Sequence, residues 1–341
     1  MQNELWRLAR VPAGPLPVAD DFQWSNERLS EPEQGQVLTR TVYLSLDPYQ
    51  WVRRRSGTEA PGEICHGRTV SQVIRSRHGE FEEGDYLFNT NGWQRYGLTG
   101  AGISEFGYMH PRKLDPQLAP VSTAIGVLGM LGLTAYAGLI VQCDPQPGET
   151  VVVSAASGGV GQVVGQLARL KGCRVVGIAG AEHKCAFVRD ELGFDACVSH
   201  LAEDFPEQLA AACVEGCDVY FENVGGKVFD AVLPCLNKNS RISLCGVISQ
   251  YGAAGNVREA WQAAGAATFA AQDVVVHDLF VGNFVDAYQD QFLSEMAGYV
   301  VDGRVQYRED RWTGLDHAPE AFAAMLQGGN FGKTIVVVDA E

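Results

Sequence analysis

The chain has 341 residues, enough at about 150 per domain for two domains and a large core. It is 46% hydrophobic and 20% charged, the balance of an ordinary globular protein. Forty-one acidic against 26 basic residues give a net charge of −15, which argues against a nucleic-acid or anionic-membrane partner, since both are bound through clustered cations.

The opening residues 1–7 carry no basic-then-apolar leader pattern, so a cytoplasmic protein is expected. Residues 1–122 hold turn signals and short alternating runs at 36–44, 69–74 and 86–88, which predict an all-β, barrel-like unit. An uncharged run over 124–141 is broken by Gly126, Gly129, Gly132 and Gly138, and reads as buried helix rather than membrane anchor. Over 123–303 the texture changes to short apolar strands (150–154, 174–178, 196–199, 218–221 and 241–244). Helices at 159–171, 182–192, 205–213 and 225–236 separate them. Such alternation requires crossover connections, hence an α/β doubly wound parallel sheet covered on both faces. The tail, 304–341, predicts a helix at 318–327 and a closing strand at 333–338 that returns to the first domain.

Nine cysteines are an odd number, and none form a C-x2-C pair; Cys213 and Cys217, at C-x3-C, are the closest. Reduced thiols are expected, without a zinc ribbon. Cys65-His66 is followed by Gly67 rather than a glutamate, and residues 1–142 hold no other cysteine, so no metal-ligand set is expected.

The most informative stretch is TVVVSAASGGVG at 150–161, where Ala156, Gly158 and Gly161 fall at A-x-G-x-x-G between a strand and a helix. The first small residue permits a tight turn, Gly158 lets backbone approach a pyrophosphate, and Gly161 lets helix and strand pack closely. The helix N-terminus then offers free N–H groups and a positive dipole end. The second strand ends in Ala179-Gly180, with no acid at its tip for a ribose 2′-OH, and Lys184 follows where a 2′-phosphate could be met. NADP(H) is therefore expected over NAD. Glu182 reads as a first-turn acid favoured by the dipole.

Residues 155–185, with DVYFENVGG at 218–226, CGVISQY at 245–251 and GNFGK at 329–333, resemble the zinc-independent medium-chain dehydrogenase/reductases. Within them the chain is similar to the prostaglandin reductase/leukotriene B4 dehydrogenase group and its bacterial curcumin- and 2-alkenal-reductase relatives. LSLDPY at 44–49 and GMLGLTAY at 129–136 also match that group. The resemblance implies a Rossmann domain beside a GroES-like β-barrel, bound NADP(H), and a homodimer whose 272–282 strands pair across a two-fold axis.

It further implies that Gly158, Gly159, Val160 and Gly161 lie under the pyrophosphate and that Lys184 holds the 2′-phosphate. His200 stands where the group has Tyr beside that phosphate; a solvated loop histidine is the other reading. Asn223 would line the cofactor cleft, although a turn Asn before two glycines has the same sequence pattern. Cys245, Gly246, Ile248, Ser249 and Tyr251 would wrap the nicotinamide. Phe280, Val281 and Gly282 would form a strand whose backbone meets the carboxamide, and Asn330 would reach the cofactor from the tail. Residues 252–272 correspond to a variable substrate-side loop.

The implied reaction sends hydride to the β-carbon of an α,β-unsaturated aldehyde or ketone. Tyr251 and a ribose hydroxyl would donate to the carbonyl oxygen, Tyr49 would stand in the pocket wall, and solvent would supply the α-carbon proton. Tyr49 also reads as a barrel-rim aromatic and Tyr251 as a loop-tip residue. Quinone reduction and a non-enzymatic NADPH-binding role stay open.

Overall fold

Valine-rich runs become strands and alanine-rich runs become helices in the computed structural model, which describes residues 2–103 and 110–339. They fall into two units, Met1–Met130 with Glu309–Glu341, and Leu131–Arg308. In the first unit β1 (Gln2–Leu8) and β2 (Phe22–Arg28) form an antiparallel ribbon. The chain continues through β3 (Gln36–Ser45), α1 (Tyr49–Arg55), β4 (Thr69–Ser76), β5 (Tyr86–Asn89), β6 (Tyr96–Gly100) and β7 (Arg112–Leu114). Strand β3 is central, with β4 on one side and β6 on the other, and its alternating sequence is buried almost throughout. Its polar residues are therefore satisfied internally. Asn91 Nδ2 donates to Thr39, Thr41 and Ser71 hydroxyls at 2.9–3.0 Å, and Asn89 Oδ1 accepts from Ser71 at 2.9 Å.

The uncharged 124–141 run folds into a 3-10 turn (Val121–Ile125), α2 (Met130–Tyr136) and a π turn (Ala137–Cys143). Gly138 lets this turn press on the sheet beneath it, because a Cβ there would lie 2.5 Å from Ser243 Oγ. No helix among the described residues is long and apolar enough to cross a membrane.

The second unit alternates β8 (Thr150–Ser154), α3 (Gly161–Leu170), β9 (Arg174–Ala179), α4 (Glu182–Asp190), β10 (Ala196–Ser199), α5 (Phe205–Ala212), β11 (Cys217–Glu222), α6 (Gly226–Val232), β12 (Leu236–Leu244), α7 (Val257–Gln272), β13 (Val275–Asp278) and α8 (Val285–Val301). The strands form one parallel sheet in the order β10-β9-β8-β11-β12-β13. The chain thus winds outward from β8 to one edge, returns to β11, and winds to the other: a doubly wound α/β sheet.

Two expectations are corrected. Residues 252–272 are not a loop but largely the 16-residue helix α7, started by Asn256, whose side chain accepts from Arg258 and Glu259 N–H. Only Val275–Asp278 of the 272–282 run is strand, since β13 pairs with four residues of β12, Arg241–Leu244. Phe280, Val281 and Gly282 therefore follow the strand rather than form it. Phe280 is 57% exposed, and Val281–Phe284 is a 3-10 turn leading into α8.

The chain then returns through β14 (Glu309–Thr313), α9 (Ala318–Leu326) and β15 (Lys333–Val337), and β15 pairs antiparallel with β3. A buried ion pair fastens this return: Lys333 Nζ donates to Asp47 Oδ1 at 2.8 Å and to the Leu46 carbonyl at 2.6 Å. Ser45 Oγ donates to the other Asp47 oxygen at 2.6 Å. Burial pulls the Lys333 ammonium below its usual range, and Asp47 opposes that pull.

Removing one partner of a buried pair leaves an uncompensated charge, typically at roughly 3–5 kcal/mol. Asp47→Asn is expected to lower the first unit's stability by about that amount, and Asp47→Asn with Lys333→Met to recover most of it. Urea unfolding read by tryptophan fluorescence checks this, because Trp6, Trp24, Trp51, Trp93 and Trp312 belong to this unit. A wild-type midpoint for Asp47→Asn would contradict it.

Candidate functional site

The winding of the sheet reverses between β8 and β11, and open α/β sheets bind ligands outside the carboxyl ends of their strands at that point. Strand β8 ends at Ser154. Ala155 follows with φ 50°, a left-handed conformation that an alanine adopts only under constraint, and Gly158 N–H closes the turn on its carbonyl at 2.9 Å. A Cβ at Gly161 would stand 2.3 Å from that same carbonyl, so only glycine lets α3 start there. Val160 precedes α3 without a side-chain cap, and Gly159 completes a turn bearing little side-chain bulk.

Across the switch point the β11 tip is organised by Glu222, a fully buried carboxylate. Its Oε1 accepts from Val224 N–H at 2.7 Å, Gly225 N–H at 3.0 Å and Ser154 Oγ at 3.1 Å, and its Oε2 accepts from Trp261 Nε1 at 3.2 Å. Burial raises its pKa above the usual carboxylate range, against the pull of these donors. Asn223 bridges the two tips: its backbone N–H donates to Ser154 Oγ and its Nδ2 to the Ser154 carbonyl, both at 2.8 Å. Its side-chain amide is therefore engaged between the two strand tips.

The loop after β12 is stitched to the same turn. Cys245 and Gly246 N–H donate to the Glu222 carbonyl at 3.0 and 3.1 Å, Ile248 N–H to Asn223 O at 3.1 Å, and Ser249 Oγ to Val224 O at 2.6 Å. Burial pushes the Cys245 thiol up to about 12, so it is no nucleophile at neutral pH. Tyr251 packs on the hydrophobic cluster that includes Val247 and Trp261. Its hydroxyl lies over Gly246, where a Cβ would be 2.4 Å away, and burial pushes the phenol up to about 12.

At the tips of β9 and β10, His200 N–H bonds to the Ala179 carbonyl at 3.0 Å and the ring lies beside Gly180. Its Nδ1 is buried without a hydrogen-bond partner. Burial first, then the charges of Lys227 and Lys184, hold its pKa below 6.5. Lys184, near the start of α4, is buried, whereas Lys227, in the first turn of α6, is exposed. The structure thus brings together Lys184 and His200, and adds Lys227, which the sequence reading missed. A lysine in the first turn of a helix opposes the dipole, and that was the available signal.

The remaining candidates belong to the first unit. Asn330 Nδ2 donates to the Gly332 carbonyl at 2.8 Å in the turn before β15. Tyr49 opens α1, and its hydroxyl accepts from Arg68 Nη1 at 2.7 Å and meets His66 Nε2 at 2.7 Å. All nine cysteines are free thiols, and among the described residues no three His, Cys, Asp or Glu side chains cluster to hold a metal ion.

A family model described as the N-terminal domain of oxidoreductase matches residues 4–104, and one described as zinc-binding dehydrogenase matches 159–294. NADPH-dependent curcumin reductase of Escherichia coli (strain K12) is 42% identical, covering 99% of this chain and 97% of its own. Prostaglandin reductase 1 of Mus musculus is 36% identical, covering 98% and 99%. The crystal structure of CurA in complex with NADPH from Vibrio vulnificus superposes with a TM-score of 0.90 at 42% identity, covering 99% of this chain and 100% of that one. A two-unit fold of this kind, matched over nearly its whole length by such relatives, places the chain in the zinc-independent medium-chain dehydrogenase/reductase family.

Proposed function

We propose that this chain uses NADPH to reduce the carbon–carbon double bond of α,β-unsaturated aldehydes and ketones. The observation that carries the reading is the glycine turn at the switch point, with Lys184, Lys227 and His200 grouped at the adjoining strand tips. Gly158, Gly159, Val160 and Gly161 present backbone and a helix N-terminus to a pyrophosphate, and the missing Cβ of Gly161 lets α3 start close against the Ala155 carbonyl. The cations suit a 2′-phosphate, and the unpartnered Nδ1 of His200 is a group such a phosphate would engage. Asn223, Cys245, Gly246, Ile248 and Ser249, with the backbone of Phe280, Val281 and Gly282, are the groups that would meet the nicotinamide end. The printed names of the full-length relatives, NADPH-dependent curcumin reductase and prostaglandin reductase, support the same chemistry.

NADPH held there supplies a hydride to the β-carbon. Negative charge then gathers on the carbonyl oxygen, which calls for a neutral donor in a dry setting. Tyr251 is such a donor: pushed up to about 12, it keeps its proton at pH 7.

Lys184→Ala is expected to weaken NADPH binding tenfold to a hundredfold, since a charge-assisted contact contributes roughly 1.5–3 kcal/mol, and to leave NADH nearly unaffected. Nicotinamide fluorescence titration reads both affinities, and equal losses would contradict the assignment. Tyr251→Phe should lower kcat on trans-2-nonenal by about tenfold or more while NADPH affinity holds. Turnover at the wild-type rate would reduce Tyr251 to a pocket wall.

A further inference from the structure

We propose that Cys235 and Cys213 form a peroxide-sensitive thiol pair within the second unit, joined by a reversible disulfide when Cys235 is oxidised. This is thiol chemistry alone and stands apart from the reductase reading. Cys213 caps the carboxyl end of α5, and Cys235 ends the 3-10 turn Leu233–Cys235 that follows α6. The two thiols lie in hydrogen-bonding contact. The backbone fixes their meeting. Gly216 N–H donates to the Cys213 carbonyl at 2.8 Å, in a turn that carries the chain from α5 into β11 and holds Gly216 at φ 82°. Cys217 then pairs with Leu236 in the β11–β12 ladder, so Cys235 arrives beside the turn that begins at Cys213. Asn237 Nδ2 ties that turn down, donating to the Glu215 carbonyl at 2.9 Å and to Asp218 Oδ1 at 2.8 Å. The pair therefore sits at the amino ends of the strands, opposite the glycine turn.

Exposure and charge give the two sulfurs different roles. Cys213 is 6% exposed whereas Cys235 is only half-buried, so an oxidant from solvent meets Cys235 first. The hydrogen bond from Cys213 favours the Cys235 thiolate and holds its pKa below the usual thiol range, against the opposing effect of burial. Cys213, the donor in that bond and buried besides, is held above it. Cys235 Sγ also meets the Ala231 carbonyl at 3.7 Å, a long contact that ionisation gives up at little cost. The other groups facing the pair are Cys217, with Asp218 beside it on β11, and Arg174 on β9, whose Nη2 donates to the Ala212 carbonyl at 3.1 Å. Cys217 is the nearer partner in sequence, but it is fully buried and its Sγ donates to the Val219 carbonyl at 3.3 Å. An accessible cysteine with thiolate character beside a second thiol is the arrangement that peroxide oxidises reversibly. Cys185 and Cys197 are hydrogen-bonded in the same way but are both buried, and they provide an internal control.

The oxidant is hydrogen peroxide. The Cys235 thiolate attacks one peroxide oxygen; the S–O bond forms, the O–O bond breaks, and hydroxide leaves and takes up the proton lost by the thiol. Cys235 is now a sulfenic acid, oxidised by two electrons. The Cys213 sulfur then attacks Cys235 Sγ; the S–S bond forms, the S–O bond breaks, and the departing hydroxide takes the Cys213 proton as water. Two thiols and one peroxide thus give one disulfide and two waters. The new bond closes the chain segment that contains β11 and α6, which restricts the unfolded state.

The test exposes the reduced, folded protein to hydrogen peroxide, alkylates the remaining thiols with iodoacetamide after denaturation, and maps the peptides by mass spectrometry. Cys235 is expected joined to Cys213 while Cys185 and Cys197 are still alkylated, and dithiothreitol should release both thiols. In Cys213→Ser, Cys235 should stop at the sulfenic acid and be trapped by dimedone, whereas Cys235→Ser should leave Cys213 reduced. Without oxidant at pH 7, Cys235 of the folded wild type should be alkylated at least about fivefold faster than Cys245. A disulfide through Cys217, a Cys185–Cys197 disulfide that forms first, or a Cys235 that stays reduced after other thiols have reacted would overturn the proposal.

Discussion

The Glu222 carboxylate is the interaction on which the switch point of the parallel sheet depends. It is fully buried, and a bare charge in that position would be prohibitively unfavourable without partners. Four donors surround it, and they come from three places: the end of β8, two residues of the β11–α6 turn, and Trp261 on α7. Trp261 in turn stacks on Phe229 of α6, with ring centroids 4.4 Å apart. One carboxylate thereby ties the strand tips to the helix that covers them, while the backbone carbonyl of Glu222 holds the loop carrying Cys245 to Tyr251. Because Asn223 and Ser154 share its network, the spacing between the glycine turn and the β11 tip is fixed before any ligand arrives, the kind of preorganisation that binding sites require.

Charge shows a second level of organisation. The chain is strongly acidic overall, yet in each unit a half-buried histidine lies among cations. Lys184 and Lys227 act together on His200 at the β9 and β10 tips, and Arg53, Arg54 and Arg68 act together on His66. Both histidines are kept neutral chiefly by burial, with neighbouring cations adding to the effect, so neither adds charge at pH 7 and both stay available as hydrogen-bonding groups. Burial also raises the Tyr251 phenol, to about 12.

Much of the α/β fold was legible because buried parallel strands are continuous apolar runs. Residues 150–154 and 196–199 form strands with the predicted bounds, and Ala156, Gly158 and Gly161 occupy the turn that their spacing implies. Strand length was less legible where pairing decides it. Strand β12 begins at Leu236, five residues before the apolar segment, and β13 stops where its partner's edge stops, despite the valines and phenylalanine nearby. Residues 252–272 misled through their glycines, although alanine is a strong helix former and Asn256 supplies the cap. The partners of the site residues had no sequence signal at all. Glu222 with Trp261, and Tyr49 with His66 and Arg68, meet through tertiary folding rather than through any fixed spacing.

The central claim is that hydride goes to the carbon–carbon double bond, and the fate of a label tests it most directly. Trans-2-nonenal would be reduced with NADPH deuterated at the transferred position, and the product analysed by NMR. The account predicts a saturated aldehyde carrying one deuterium on the β-carbon. Deuterium on the carbonyl carbon of an allylic alcohol, or NADPH oxidation with 1,4-naphthoquinone and none with the enal, would contradict it.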